Sequence, residues 1–210
     1  MGWYQRNIFP ILIDRGMRNP VMTEYRPKIV PQASKTVLEI GIGSGLNIPH
    51  YSNIDRLYGL EPSKELLKKA AHMVQSAAFP VDLLEAPAED IPLEDHSVDT
   101  VLSSWTLCSI PEIKAALKEM HRVLKPQGHF IFIEHGQAPD SQTRGWQDRL
   151  APIFRTLAGC NLNRKIDDLI VDAGFQIETL ETRYLKGPKF LSYHFIGRAQ
   201  PNDSSFFAAS

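Results

Sequence analysis

Short apolar runs alternate with amphipathic segments over most of the chain. Strands are predicted at five of these runs, namely Thr36–Ile40, Arg56–Leu60, Val81–Glu85, Val98–Ser103 and His129–Glu134. Apolar residues at helical spacing predict one helix after Ser63 and another between Pro111 and Pro126. Because strands and helices alternate, the pattern predicts a parallel sheet with helices on both of its faces.

The beginning of the chain departs from this alternation. Trp3 to Met17 has the pattern of an amphipathic helix interrupted at Pro10. Such a helix packs on its domain, closes over the active site as a lid, or touches a membrane surface, and the pattern does not decide among the three. The dipeptides Asn19-Pro20 and Arg26-Pro27 then predict an irregular connection to the first strand.

The end of the chain also differs. A helix is predicted from Leu162 to Ala173, followed by a hairpin of two strands, Phe175–Arg183 and Phe190–Arg198. The last residues are small and polar, which is typical of a disordered tail. One domain is therefore predicted at 1–199, with a helical extension at 1–30 and a disordered tail at 200–210.

Composition excludes several classes of function. The 210 residues include 23 basic and 24 acidic ones, so the basic excess of a nucleic-acid-binding protein is lacking. Cys108 and Cys160 lie far apart, and no histidine pair has the spacing of a metal site. These features predict no bound metal, no nucleic-acid partner and two reduced thiols in a cytoplasmic protein. Neither a leader peptide nor a membrane-spanning segment is predicted.

The main candidate for chemistry is the segment from Val37 to Asn47, where an apolar strand enters a turn with three glycines. Gly41, Gly43 and Gly45 allow backbone N–H groups to approach a ligand closely. Glu61 ends the next predicted strand, where a carboxylate is suited to binding the two hydroxyls of a ribose. Together they predict a nucleoside cofactor. The glycine spacing differs from the dinucleotide fingerprint, and no phosphate-binding P-loop is present.

At this point the sequence resembles the class I S-adenosylmethionine-dependent methyltransferases, of the type 11 kind. Five segments in order carry the resemblance, namely Val37–Gly45, Glu61, Ala88–Leu93, Ser97–Val101 and Glu119–His129. The resemblance implies a Rossmann-like, doubly wound α/β fold. Its seven-stranded sheet would have the order 3-2-1-4-5-7-6, with strand 7 antiparallel.

The resemblance also implies which residues bind S-adenosylmethionine. Glu61 would hold the ribose, Glu39 would help to bind the amino group, and Ala88 and Glu89 would flank the adenine. The complete set of implied cofactor residues is Glu39, Gly41, Gly43, Ser44, Gly45, Asn47, Glu61, Pro62, Ala88, Glu89, Ser104, Trp105 and Thr106.

The methyl acceptor is predicted from a narrower likeness. Segments around Cys108, His135 and Cys160 resemble the methyltransferase-like 7 group of thiol S-methyltransferases, which implies a small, fairly apolar acceptor, most readily a thiol. His135 is the candidate base or orienting group. Bacterial phospholipid N-methyltransferases share the front half, so phosphatidylethanolamine or another lipid or quinone-type acceptor stays open. A cofactor-binding partner subunit without catalysis is a third hypothesis.

Overall fold

A computed structural model describes residues 14–202, apart from the side chains of residues 157 and 158. Its seven strands are β1 Lys35–Ile40, β2 Ile54–Leu60, β3 Val81–Leu84, β4 Val98–Ser104, β5 Leu124–His135, β6 Phe175–Tyr184 and β7 Tyr193–Pro201. The six described α-helices are α1 Pro20–Ile29, α2 Lys64–Val74, α3 Ile113–Val123, α4 Ser141–Ala158, α5 Ile166–Asp172 and the single turn α6 Lys189–Ser192.

The strands form one sheet in the order β3-β2-β1-β4-β5-β7-β6. Neighbours from β3 to β5 are parallel, whereas β7 runs antiparallel to both β5 and β6. The predicted doubly wound α/β fold, its strand order and its antiparallel strand 7 are all confirmed.

Side chains of the central strands alternate between two cores. On β1, Val37 packs into one apolar cluster while Leu38 and Ile40 pack into the other, and all three are fully buried. On β4, Val101 and Leu102 divide in the same way. Because both faces are covered, these strands are apolar almost throughout, which is the pattern of a parallel sheet between two helical layers.

The connection predicted around Asn19 to Pro27 is wrong, because the structure has helix α1 there. The Asn19 side chain accepts a hydrogen bond from the Met22 backbone N–H at 3.1 Å and so caps the helix, and Pro20 occupies its first turn. Pro27 lies inside the helix without ending it. The predicted helix from Trp3 to Met17 lies largely outside the described residues. Within residues 14–202, no helix is both long and apolar enough to cross a membrane.

The carboxyl-terminal predictions need four corrections. Helix α5 begins at Ile166 rather than Leu162, and β7 begins at Tyr193 because helix α6 occupies the residues before it. The long helix α4 was not predicted. Strand β7 continues to Pro201, so the ordered chain extends past position 200, while residues 203–210 of the predicted tail lie outside the described part.

Candidate active site

A large cleft lies at the carboxyl ends of β1, β2 and β4, with a volume of about 1450 Å³. In the sheet, β1 lies between β2 on one side and β4 on the other, so the direction of the strand order reverses here. This point is where open α/β sheets bind their ligands. The predicted cofactor residues that line the cleft are Glu39, Gly41, Gly43, Ser44, Glu61, Pro62, Ala88, Glu89, Ser104, Trp105 and Thr106. Gly45, Asn47 and His135 do not line it.

The glycine turn after β1 has a backbone that few other residues adopt. The φ angles of Gly41, Gly43 and Gly45 are 66°, 56° and 81°, all in the left-handed region. A Cβ at Gly41 would lie 2.5 Å from Cγ2 of Thr106. At Gly43, in contrast, a Cβ would meet only the Gly41 carbonyl oxygen, at 3.9 Å. Gly43 therefore leaves an open cradle where a ligand can approach the backbone.

Glu61 lies just beyond β2 and is 7% exposed. Its carboxylate accepts hydrogen bonds from the backbone N–H groups of Gly43, at 3.2 Å, and Ser63, at 3.0 Å. No ion pair with Glu61 occurs among residues 14–202, and burial raises its pKa to about 6. A carboxylate has about four lone-pair positions, so two remain for hydroxyl donors from a ligand. This is the chemistry that binding a ribose requires.

Glu39 lies on the floor of the cleft and is almost completely buried. Its carboxylate is hydrogen-bonded to residues that follow the glycine turn. Asn47 Nδ2 donates to one carboxylate oxygen at 2.7 Å, and the Tyr51 hydroxyl donates to the other at 2.8 Å. Asn47 Nδ2 also donates to Ser104 Oγ at 3.0 Å, which joins β1 to β4. Asn47 thus acts beneath the cleft and does not contact its interior. Burial raises the pKa of Glu39 to about 7.

Arg26 is a site residue that sequence reasoning missed. Its guanidinium is buried, donates to Asn47 Oδ1 and to the Met17 carbonyl oxygen, and lies 5.2 Å from the ring centroid of Trp105. It lines the cleft together with Glu39. A single arginine before a proline belongs to no recognisable binding motif, so only the folded structure identifies Arg26 as a site residue.

The end of the amino-terminal segment reaches the same cleft. The Ser44 hydroxyl in the glycine turn donates to the Asp14 carboxylate, and Lys69 on α2 donates to the other oxygen of that carboxylate at 3.1 Å. Asp14 and Met17 both line the cleft. This placement agrees with a lid and equally with simple packing on the domain. The role of the segment stays a prediction, because most of it lies outside the described residues.

His135, the predicted base, is the last residue of β5 and lies behind the cleft wall. Its Nε2 lies 2.9 Å from Cys160 Sγ, and Cys108 belongs to the same cluster. Burial by itself would lower the pKa of His135, but the neighbouring Cys108 raises it overall. The spacing along the chain predicts no metal site, and whether a metal binds stays a prediction, but the fold brings both sulfurs beside one imidazole.

Glu134 fixes the loop that follows β4. It is fully buried and accepts hydrogen bonds from the Ser103 hydroxyl at 2.7 Å and from the backbone N–H groups of Thr106 and Leu107 at 3.0 and 3.1 Å. The same loop contains Trp105, whose φ of 54° is unusual for a residue with a side chain. Glu134 therefore positions the cleft wall from below.

The comparisons with known proteins agree with this geometry. A family model described as a methyltransferase domain matches residues 38–132. The human thiol S-methyltransferase TMT1A is 31% identical over 172 residues, which cover 79% of this chain and 68% of that protein. The chain belongs to the S-adenosylmethionine-dependent methyltransferases. S-adenosylmethionine is accordingly its methyl donor.

One further curated relative and one solved structure of similar fold show how far the similarity of this methyltransferase extends. The phosphatidylethanolamine N-methyltransferase of Cereibacter sphaeroides is 32% identical over 101 residues, covering 47% of this chain and 50% of that protein. The protein solved with the Haloferax volcanii methyltransferase activator Trm112 superposes with a TM-score of 0.67 at 18% identity, covering 94% and 97% of the two chains. The chain spans about half to two thirds of the length of the two curated relatives.

The residues of the cleft fit S-adenosylmethionine. Glu61 keeps acceptor positions for the ribose hydroxyls, and Gly43 leaves room for close approach to the backbone. Arg26 places a cation among the residues that line the cleft, and a cation is suited to a carboxylate such as that of the methionine part. Glu39, predicted to help bind the amino group, has both oxygens engaged by Asn47 and Tyr51, so it offers only its remaining lone pairs.

Stability of this methyltransferase is expected to depend on pH through Glu39. The folded carboxyl has a pKa of about 7 against 4.5 for an ordinary glutamate, so between these values the folded state binds more protons than the unfolded one. The contribution of Glu39 is therefore largest below pH 4.5 and falls by about 3 kcal/mol as the pH rises through 7. In urea titrations from pH 4.5 to 8, the stability difference between the protein and Glu39→Gln should fall by this amount. A constant difference would contradict the burial argument.

Proposed function

We propose that this chain transfers the methyl group of S-adenosylmethionine to the sulfur of a small, fairly apolar thiol. The observation that carries the proposal is the likeness to TMT1A, a thiol S-methyltransferase, which extends over 79% of the chain. The likeness to the phospholipid enzyme covers only 47%. The two free cysteines fit a reducing compartment, so we place the enzyme in the cytoplasm as part of this proposal.

The cofactor would be held by the residues around the glycine turn. Glu61 would accept hydrogen bonds from the ribose hydroxyls, and Ala88 and Glu89 would flank the adenine. Ser104, Trp105 and Thr106 would border the reacting centre. Bound S-adenosylmethionine supplies a methyl group that is already activated by its positively charged sulfur.

The cleft has room for an acceptor beside the cofactor. Its volume of about 1450 Å³ exceeds the roughly 300–1,000 Å³ of an ordinary small-molecule site. Trp105, Ile110 and Pro111 supply apolar wall, and Arg155, which also lines the cleft, adds a positive charge. A positive field favours the thiolate form of a thiol, and the thiolate is the nucleophile. The protein then mainly aligns the sulfur with the methyl carbon.

Alkyl thiols are expected to gain one methyl group when incubated with the protein and S-adenosylmethionine. Phosphatidylethanolamine vesicles should gain none. Mass spectrometry measures the mass gained by both acceptors in parallel. Glu61→Ala serves as the inactive control.

Different outcomes favour different functions. If only the lipid gains mass, the acceptor is a phospholipid amine and the thiol proposal is wrong. If neither acceptor gains mass although calorimetry shows cofactor binding, the chain is a cofactor-binding partner without catalysis on these substrates. Liposome flotation with and without residues 1–18 tests the proposed peripheral membrane contact separately.

A further inference from the structure

Two cysteines and one histidine converge behind the wall of the cleft. Cys108 follows β4, His135 ends β5, and Cys160 follows α4. One ligand atom from each residue lies within 4.8 Å of the other two, and His135 Nε2 lies 2.9 Å from Cys160 Sγ. Cys108 and His135 are buried, and Cys160 is half-buried. These are the donor atoms that zinc prefers.

The loops that bear the two cysteines are tied together. The Cys108 carbonyl oxygen accepts hydrogen bonds from both the backbone N–H and the side-chain amide of Asn161, each at 2.9 Å. Arg164 donates to the carbonyl oxygens of Leu107 and Ile110, on either side of Cys108. Hydrogen bonds to the backbone therefore hold the two loops in place without involving the sulfur atoms, as a preorganised set of ligands requires.

The cluster adjoins the cleft through the neighbours of both cysteines. Ser109 and Gly159 line the cleft, and each is next in sequence to one of the sulfur ligands. Ser109 Oγ also lies 3.4 Å from Cys108 Sγ. Three protein ligands leave one position of a tetrahedral zinc ion for a further ligand, as in catalytic zinc sites.

We propose that Cys108, His135 and Cys160 bind one zinc ion whose fourth position takes the sulfur of the acceptor thiol. The role of the fourth position rests on the proposed function, whereas metal binding does not. The acceptor thiol loses its proton to solvent when it binds zinc. Its sulfur then forms the bond to the methyl carbon, and the electron pair of the broken carbon–sulfur bond leaves with S-adenosylhomocysteine.

Metal binding is tested on the full chain after removal of metal with a chelator. The protein should bind one equivalent of zinc, and cobalt in its place should give a thiolate-to-cobalt charge-transfer absorption. Cys108→Ser and Cys160→Ser should each abolish that absorption and weaken zinc binding by more than the roughly 10–100-fold that is typical when a residue supporting a ligand is replaced. His72→Gln, a change of an exposed histidine on α2, is the matched control and should bind as the unchanged protein does.

A second measurement guards against variants that fail to fold. The sequence contains only these two cysteines, so mass spectrometry after maleimide treatment counts both thiols directly. Zinc should protect the half-buried Cys160 of the unchanged protein from alkylation. Failure of zinc to bind or to protect would overturn the proposal.

The role in catalysis has its own outcomes. Adding an alkyl thiol should shift the cobalt spectrum, and a spectrum that does not respond would overturn the open fourth position. If the zinc-free protein methylates thiols at the full rate, zinc has no part in the reaction and the proposed function stands. If the zinc-loaded protein binds metal and thiol but transfers no methyl group, the proposed function fails and the metal site stands.

Discussion

Glu61→Ala is expected to weaken the binding of S-adenosylmethionine and of S-adenosylhomocysteine by about 100-fold or more. Glu61 offers its free acceptor positions to two hydroxyl donors, and hydrogen bonds to charged groups contribute about 1.5–3 kcal/mol each. Every 1.4 kcal/mol corresponds to about a tenfold change in affinity. Titration calorimetry at pH 8, where the carboxyl with its pKa of about 6 is ionised, measures the loss.

The charge and the shape of Glu61 can be separated. Glu61→Gln keeps one acceptor oxygen but loses the negative charge, so its affinity should lie between those of the protein and the alanine variant. Glu94→Gln makes the same change at an exposed position away from the cleft and should leave binding unaltered. Unchanged affinity in Glu61→Ala, with the fold intact, would contradict the ribose assignment.

The parts of the fold that were predictable are those with local signals. The strand at Thr36–Ile40, the glycines after it and the acid after β2 lie close together in sequence, and a turn with positive φ angles demands glycine. The strand order was predicted only from the resemblance to the methyltransferase family, because the hydrophobic pattern along the chain does not determine it. Eleven of the thirteen implied cofactor residues line the cleft for this reason.

The parts that were missed depend on contacts between distant segments or on mixed patterns. Helix α4 carries Trp146 and Ile153 on its surface, each 52% exposed, and contains Pro152, so its apolar spacing does not look helical. Helix α1 was hidden by its two prolines, although Asn19 caps it. The Cys108 cluster forms only when α4 folds back beside β4 and β5, which no spacing along the chain reveals.

Asn47→Asp is expected to destabilise the fold. The substitution replaces only an NH₂ by an oxygen, yet that NH₂ donates to both Glu39 and Ser104. At pH 8 a second carboxylate would face Glu39 in a buried site. Leaving a buried acceptor without its donor costs about 1–3 kcal/mol, and repulsion between the two carboxylates adds to this cost, so denaturant titration should show a loss of at least about 1–3 kcal/mol.

A matched control exists at Asn53, which is exposed, so Asn53→Asp should change stability by less than about 0.5 kcal/mol. Adding Glu39→Gln to Asn47→Asp should restore much of the loss, because the new amide can donate to the new carboxylate.

The destabilisation should also shrink at pH 5, where Glu39 and Asp at position 47 can share one proton. Since Arg26 already donates to Asn47, the cation favours the new charge and works against the predicted loss. If Asn47→Asp proved as stable as Asn53→Asp, attraction by Arg26 would outweigh the lost donor, and the network would depend on the cation rather than on the amide.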